Sequence, residues 1–164
     1  HLVALPKSME GLRNLFTLIT LSYREPNYYR YPRVDFKMLK QYGKDLILSS
    51  ACLAGHLSYD ILSHFPNVSW DDIDPNVLDD ENLMNSVLNT VGNTVDKLVD
   101  CVGLENFYLE VQFNKLNPQH LVNRALIEYS KRTNIKLIAT CDSHYPRPEL
   151  WKAREIYKKL AWMN

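Results

Sequence analysis

Apolar residues along the chain follow two different spacings. Four short apolar runs of strand length, at 1–5, 45–50, 107–112 and 137–139, are separated by stretches in which apolar residues recur every three or four positions. Strands that alternate with helices predict an α/β fold with a mostly parallel sheet and flanking helices. A chain of 164 residues is expected to form a single domain with one core.

The predicted helices have recognisable boundaries. Ser8 can cap a first helix, Asn117-Pro118 is a good helix start, and Gly103 is a plausible helix end. The helix that ends there has the clearest apolar stripe, formed by Met84, Leu88, Val91, Val95, Leu98 and Val102. A short helix near 36–41 and a last helix over 148–161 complete the pattern.

The stretch from Pro66 to Glu81 shows neither a strand-length apolar run nor the three-to-four-residue spacing of a helix, and it is acidic. Its carboxylates do not match a calcium-binding loop, which needs a glycine at its turn and a glutamate at its end. We therefore predict that residues 66–81 are an acidic, solvated insertion within a single domain 1–164.

Composition narrows the possible functions only slightly. Hydrophobic residues make up 46% of the chain and charged residues 23%, as in ordinary soluble domains, and the formal net charge is zero. Any contact with nucleic acid would therefore need a local basic patch. No apolar run is long enough to span a membrane, and no signal peptide is visible. Three cysteines without paired spacing favour a reducing compartment, so we expect a cytoplasmic protein.

Potential metal ligands follow two of the predicted strands. Cys52 comes just after the second strand, and Asp142 and His144 follow the last one. The carboxyl ends of strands are where an α/β barrel collects its chemistry. Alternate side chains of an extended segment share a face, so Asp142 and His144 are expected to point the same way. The plainer alternatives are a surface turn for the Asp-x-His pair and a small buried side chain for Cys52.

Two further features have competing interpretations. Residues 23–33 interleave tyrosines with arginines, which could stack bases and hold phosphates. The shortness of this segment and the neutral total charge favour instead a loop whose tyrosines pack onto the domain. Glu110 alternates with Leu109 and Val111 in the third strand and is expected to face the opposite side of the sheet from them. The plainer alternative for Glu110 is a carboxylate that faces solvent or forms a salt bridge.

Five segments together resemble the polymerase and histidinol phosphatase (PHP) domain, in the form found in bacterial DNA polymerase III alpha subunits. In chain order they are His-Leu-Val-Ala-Leu-Pro-Lys-Ser and its continuation (1–15), Tyr-Tyr with Pro-Arg-Val-Asp (28–35), Leu-Ser-Ser-Ala-Cys-Leu-Ala-Gly (48–55), Phe-Tyr-Leu-Glu-Val-Gln (107–112) and Ala-Thr-Cys-Asp-Ser-His-Tyr (139–145). Their shared order over nearly the whole chain is far more specific than any one of them.

The resemblance implies a distorted (β/α)7 barrel with up to three metal ions. It implies metal ligands at His1, Cys52, Asp142 and His144, of which Asp142 and His144 would also be catalytic. Such ligands favour zinc or manganese over magnesium. The implied reaction in the complete protein is metal-dependent phosphoester hydrolysis of a DNA 3′ end, as in a 3′–5′ exonuclease that supports replication. The implied partners are DNA and other replisome subunits.

The chain also departs from the family pattern. The family's first half, with its His-x-His motif, has no counterpart here, Cys141 replaces a common asparagine, and no initiator methionine is present. We therefore expect the C-terminal half of a PHP domain, with weak or no catalysis by itself and with self-association through open strand edges. Two alternatives remain: a structural or partner-binding PHP module without catalysis, and a free-standing phosphatase of small molecules.

Overall fold

The four predicted strands form one sheet in which they are neighbours in sequence order. In a computed structural model that describes residues 1–162, they are β1 (Val3–Pro6), β2 (Leu46–Ser49), β3 (Phe107–Gln112) and β4 (Leu137–Thr140). β2, β3 and β4 are parallel, with Ser49 beside Tyr108 and Gln112 beside Thr140. The prediction of an α/β fold with mostly parallel strands is confirmed.

The first strand departs from the parallel pattern. β1 runs antiparallel to β2, with Val3 opposite Ser49. Two helices connect these strands, α1 (Met9–Ser22) and α2 (Phe36–Tyr42), and they pack against each other. α1 leads away from the end of β1 and α2 leads back, so β2 starts beside the end of β1. The start of β1, with His1 before it, therefore lies at the edge where β2 ends.

The next three helices pack together on one face of the sheet. They are α3 (His56–Leu62), α4 (Glu81–Val102) and α5 (Asn117–Thr133). Right-handed crossovers between successive parallel strands place their helices on the same face when the strand order follows the sequence. The core between the layers includes Leu48, Phe107 and Leu109 from the sheet, all fully buried. This one-sided layering is also how the wall of an α/β barrel is built.

The segment from Pro66 to Glu81 is more ordered than a solvated insertion. It contains two short 3₁₀ helices, Trp70–Asp72 and Pro75–Asp79. Its acidic side chains are exposed, but Ile73 and Leu78 are buried in the core. Arg124 of α5 forms an ion pair with Asp79 and so ties the segment to the helical layer.

The last elements are less buried than expected. The apolar run 137–139 predicted a buried strand, whereas the side chains of β4 are exposed or half-buried. The reason is that β4 is the outer strand of the sheet, and α5 packs against β3. A 3₁₀ turn then leads into α6 (Trp151–Trp162), which exposes Ile156, Tyr157 and Leu160. None of the helices within residues 1–162 combines the length and the apolar character that crossing a membrane requires.

Candidate metal centre

The predicted ligands all lie at one edge of the sheet, which is the edge formed by the carboxyl ends of the parallel strands. The parallel strands β2, β3 and β4 end at this edge, and the antiparallel β1 begins there. His1 precedes β1, Cys52 follows β2, and Asp142 and His144 follow β4. The topology therefore brings ligand-type side chains from three strands to the same edge.

His1 and Cys52 form the first of two pairs. Nδ1 of His1 lies 3.5 Å from Sγ of Cys52. The main-chain nitrogen of His1 donates a hydrogen bond to the carbonyl oxygen of Ala54 at 2.7 Å. The carbonyl oxygen of Cys52 accepts from the N–H of Gly55 at 2.7 Å and from the hydroxyl of Ser58 at 3.0 Å. Both residues are thus held by the turn that follows β2.

This turn requires a glycine at position 55. A Cβ there would lie 2.4 Å from the carbonyl oxygen of Ser50 and 2.8 Å from that of Cys52, closer than a Cβ can approach a backbone oxygen. Ala51, at the start of the turn, has a φ of 60°, a left-handed conformation that costs energy for a residue with a side chain. The sharp reversal directs Cys52 towards His1.

The separation within this pair fits a shared zinc ion. Zinc bonds of about 2.05 Å to nitrogen and 2.3 Å to sulfur, at a tetrahedral angle, place the two donor atoms about 3.6 Å apart. The distance between His1 Nδ1 and Cys52 Sγ is 3.5 Å. His1 is exposed and Cys52 is half-buried, so an ion can reach both from solvent. The spacing of these two donor atoms therefore suits two ligands of one zinc ion.

Asp142 and His144 form the second pair, through a turn and not through an extended strand. Asp142 has a φ of 46°, so the alternation expected for an extended segment does not continue to it from β4. Nδ1 of His144 lies 2.7 Å from the main-chain oxygen of Asp142. Because a carbonyl oxygen can only accept, Nδ1 is the donor in this contact, and Nε2 is the ring nitrogen that is left for a metal ion. Metal-binding histidines commonly have this arrangement.

A cavity of about 460 Å³ lies beside this second pair. Its lining includes Asp142, His144, Arg147 and Arg154, together with the exposed thiol of Cys141. Guanidinium groups bind the oxygens of phosphates through two parallel hydrogen bonds. The cavity therefore combines ligands for a cation with donors for an anion.

The two pairs do not merge into one compact cluster. Within residues 1–162, no three side chains of His, Cys, Asp or Glu lie close enough together to hold a single metal ion. The strands that carry Cys52 and Asp142 are two inter-strand spacings apart, about 10 Å. Separate ions at the two pairs fit this arrangement better than one ion bound by all four residues.

Between the pairs, β3 carries a carboxylate whose setting differs from the expected one. Glu110 is only 7% exposed, and its partners are hydroxyl and amide groups, not a cation. Ser49 of β2 donates to one carboxylate oxygen, while Thr140 of β4 at 2.5 Å and Gln112 at 3.3 Å donate to the other. The hydroxyl residues at the ends of the two flanking strands were the only signal of this network in the sequence.

The network keeps Glu110 ionised inside the protein. Burial raises the pKa of Glu110, but the hydrogen bonds from Ser49, Thr140, Gln112 and the main chain of Ala51 outweigh it and hold the pKa below 4.5. A fixed negative charge therefore lies between the two candidate ligand pairs.

Comparison with known proteins identifies the family to which the chain belongs. The PHP domain matches residues 1–114, which include His1 and Cys52. The chain belongs to the PHP domain family.

Curated proteins similar to the chain include several DNA polymerase III alpha subunits. The chain is 35% identical to that of Aquifex aeolicus over 149 residues, which is 91% of this chain and 11% of the relative. It is 32% identical to that of Helicobacter pylori and 34% identical to that of Chlamydia trachomatis, with 98% and 95% of this chain covered. The chain spans only 11–12% of the length of these relatives. The predicted resemblance to the PHP domain of this polymerase subunit is confirmed.

Proposed function

We propose that this chain forms part of a metal-dependent phosphoesterase centre in the PHP domain of a bacterial DNA polymerase III alpha subunit. The observation that carries the proposal is the distance of 3.5 Å between His1 Nδ1 and Cys52 Sγ, which suits two ligands of one zinc ion. In the complete protein, further residues would close the sheet into a distorted (β/α)7 barrel holding up to three ions.

The residues of this chain have distinct roles in the proposal. His1 and Cys52 would hold one zinc or manganese ion, and Asp142 and Nε2 of His144 would contribute to another. When bound, such ions supply a hydroxide at neutral pH and neutralise charge on a phosphate. The buried carboxylate of Glu110 adds negative charge between the pairs, which favours cations at this edge.

The proposed substrate class is a phosphodiester at a DNA 3′ end. Arg147 and Arg154 line the cavity beside Asp142 and His144 and would bind the phosphate oxygens, so that the ester bond is held next to the ions. A 3′–5′ exonuclease activity would support replication by the polymerase that the relatives' name describes. DNA and other replisome subunits would be the partners, in the cytoplasm.

The isolated chain is expected to be weakly active or inactive. β1 and β4 are the outer strands of the four-stranded sheet, and their unpaired edges offer hydrogen-bonding groups to another copy. Self-association through these edges would be one way to cover them.

Metal analysis of the purified chain tests the proposal. We expect bound zinc or manganese. Asp142→Ala and His144→Ala should lower the metal content by the ion at that pair, and Cys52→Ser should lower it by the ion at the other pair. Asp100→Ala, which removes an exposed carboxylate of α4, should leave the metal content unchanged. Addition of a labelled single-stranded oligonucleotide then tests for release of nucleotides from its 3′ end. A chain without metal, whose stability and partner binding are unchanged by the first two substitutions, would instead be a structural PHP module. Steady hydrolysis of a small phosphomonoester would indicate a free-standing phosphatase.

A further inference from the structure

The tyrosines of residues 23–33 do not pack onto the domain. We define these residues as the tyrosine loop. Its four tyrosines, Tyr23, Tyr28, Tyr29 and Tyr31, are each between 45% and 75% exposed. The expectation of a loop that packs its tyrosines onto the domain is therefore wrong, and the rings are presented to solvent.

The tyrosine loop is nevertheless ordered by its own hydrogen bonds. The main-chain N–H groups of Asn27 and Tyr28 donate to the carbonyl oxygen of Arg24 at 2.8 and 3.1 Å. The N–H of Tyr29 donates to the carbonyl oxygen of Tyr31 at 3.3 Å. Because the backbone of the loop is already ordered, binding costs less conformational entropy than it would for a flexible segment.

Aromatic and guanidinium planes alternate on this surface. The rings of Tyr23 and Tyr28 are stacked with centroids 5.9 Å apart. The guanidinium groups of Arg30 and Arg33 lie 5.7 and 5.6 Å from the centroid of the Tyr29 ring. The ion pairs found within residues 1–162 involve none of the arginines of the loop.

We propose that the tyrosine loop is a binding platform for single-stranded DNA. Bases would stack on Tyr29 and Tyr31, and the phosphates would contact Arg30 and Arg33. The loop contains four tyrosines, three arginines and one glutamate, so it presents the positive charge and the flat rings that a single strand requires.

The position of the loop links it to the candidate metal centre. Arg33 lines the same groove as His1, a cavity of about 660 Å³. A strand held on the tyrosine loop would therefore pass close to the His1–Cys52 pair. This location fits the function proposed above, but binding by the loop requires neither metal nor hydrolysis.

Fluorescence anisotropy with a labelled oligothymidylate of about ten nucleotides, in the presence of a chelator, tests the proposal. We expect the 164-residue chain to bind, and the double variant Tyr29→Ala with Tyr31→Ala to bind at least about fivefold more weakly. Tyr29→Phe with Tyr31→Phe keeps the rings and should bind like the wild type. Tyr59→Ala, which removes an equally exposed ring from α3, is the matched control.

Salt dependence separates phosphate contact from stacking. Arg30→Ala should reduce the slope of log affinity against log salt concentration by about 0.7, the value for one phosphate contact on a single strand. No binding by the wild type, or equal binding by the double alanine variant with unchanged circular dichroism, would overturn the proposal. A protein partner would then be the better explanation of the exposed rings. Because a chelator is present, failure of the metal proposal cannot produce either result.

Discussion

Cys52 and His1 are 51 residues apart in the sequence, yet Sγ of one lies 3.5 Å from Nδ1 of the other. The antiparallel direction of β1 makes this possible, because it places the start of β1 beside the end of β2. A parallel β1 would carry His1 to the opposite edge of the sheet, about 13 Å away for a four-residue strand. The strand that departs from simple α/β alternation is therefore the one that creates the candidate zinc pair.

The buried carboxylate of Glu110 should contribute measurably to stability. Glu110→Gln replaces an acceptor oxygen with an NH₂ group, so either Ser49 or Thr140 loses its acceptor. We expect a loss of about 1–3 kcal/mol in the free energy of unfolding, measured by urea denaturation at neutral pH. Glu10→Gln, at an exposed position of α1, should change stability little. Equal stability of the Glu110 variant and the wild type would show that the network is not formed.

The same residue predicts a pH dependence. Burial raises the pKa of Glu110, but its hydrogen bonds lower it further, so the folded pKa lies below the ordinary value of 4.5. The ionised group therefore stabilises the fold above about pH 4.5, and this contribution is lost as the pH falls through the folded pKa. The stability difference between wild type and Glu110→Gln should shrink over that acidic range. A difference that grows on acidification would contradict a lowered pKa.

The segment from Pro66 to Glu81 should behave as part of the core. Ile73 is 3% exposed, and Ile73→Ala should destabilise the protein by about 2–5 kcal/mol, measured by chemical denaturation. Val68→Ala, at a position 40% exposed in the same segment, should cost less than about 0.5 kcal/mol. Small effects at both positions would instead indicate a solvated loop.

The arginines beside Asp142 should bind phosphate. We expect Arg147→Ala to weaken binding of inorganic phosphate to the metal-loaded chain by about tenfold, because a charge-assisted hydrogen bond is lost. Isothermal titration calorimetry measures the effect, and Arg13→Ala on α1 is the control at an exposed arginine. Unchanged phosphate affinity in Arg147→Ala would remove this residue from the proposed site.

The sequence predicted the elements well because each carries a clear local pattern. The strand Phe107–Gln112 has the bounds that its apolar run predicted, and β2 differs by one residue at each end. The placement of Cys52 and Asp142 at one edge also followed, since parallel strands end on the same side of a sheet.

What the sequence did not predict depends on contacts between distant residues. The direction of β1 is set by the packing of two helices, and the burial of Glu110 depends on hydroxyls from two other strands. The turn at Asp142 needs a left-handed backbone that no glycine marks. Ile73 lies in a segment without periodic spacing, so its burial had no local signal.

A cobalt(II) titration followed by absorption tests the central claim most directly, because a thiolate bound to cobalt gives a charge-transfer band. Every protein in the titration carries Cys141→Ser, because the exposed Cys141 thiol lies beside Asp142 and His144 and would give its own band. In this background we expect the band with and without Cys101→Ser, since burial raises the pKa of the Cys101 thiol, which donates to the carbonyl oxygen of Phe36 at 3.6 Å. The band should be absent when Cys52→Ser is added and weakened when His1→Ala is added. A band that persists with Cys52→Ser, or that never forms in the Cys141→Ser protein, would contradict a metal ion bound between His1 and Cys52.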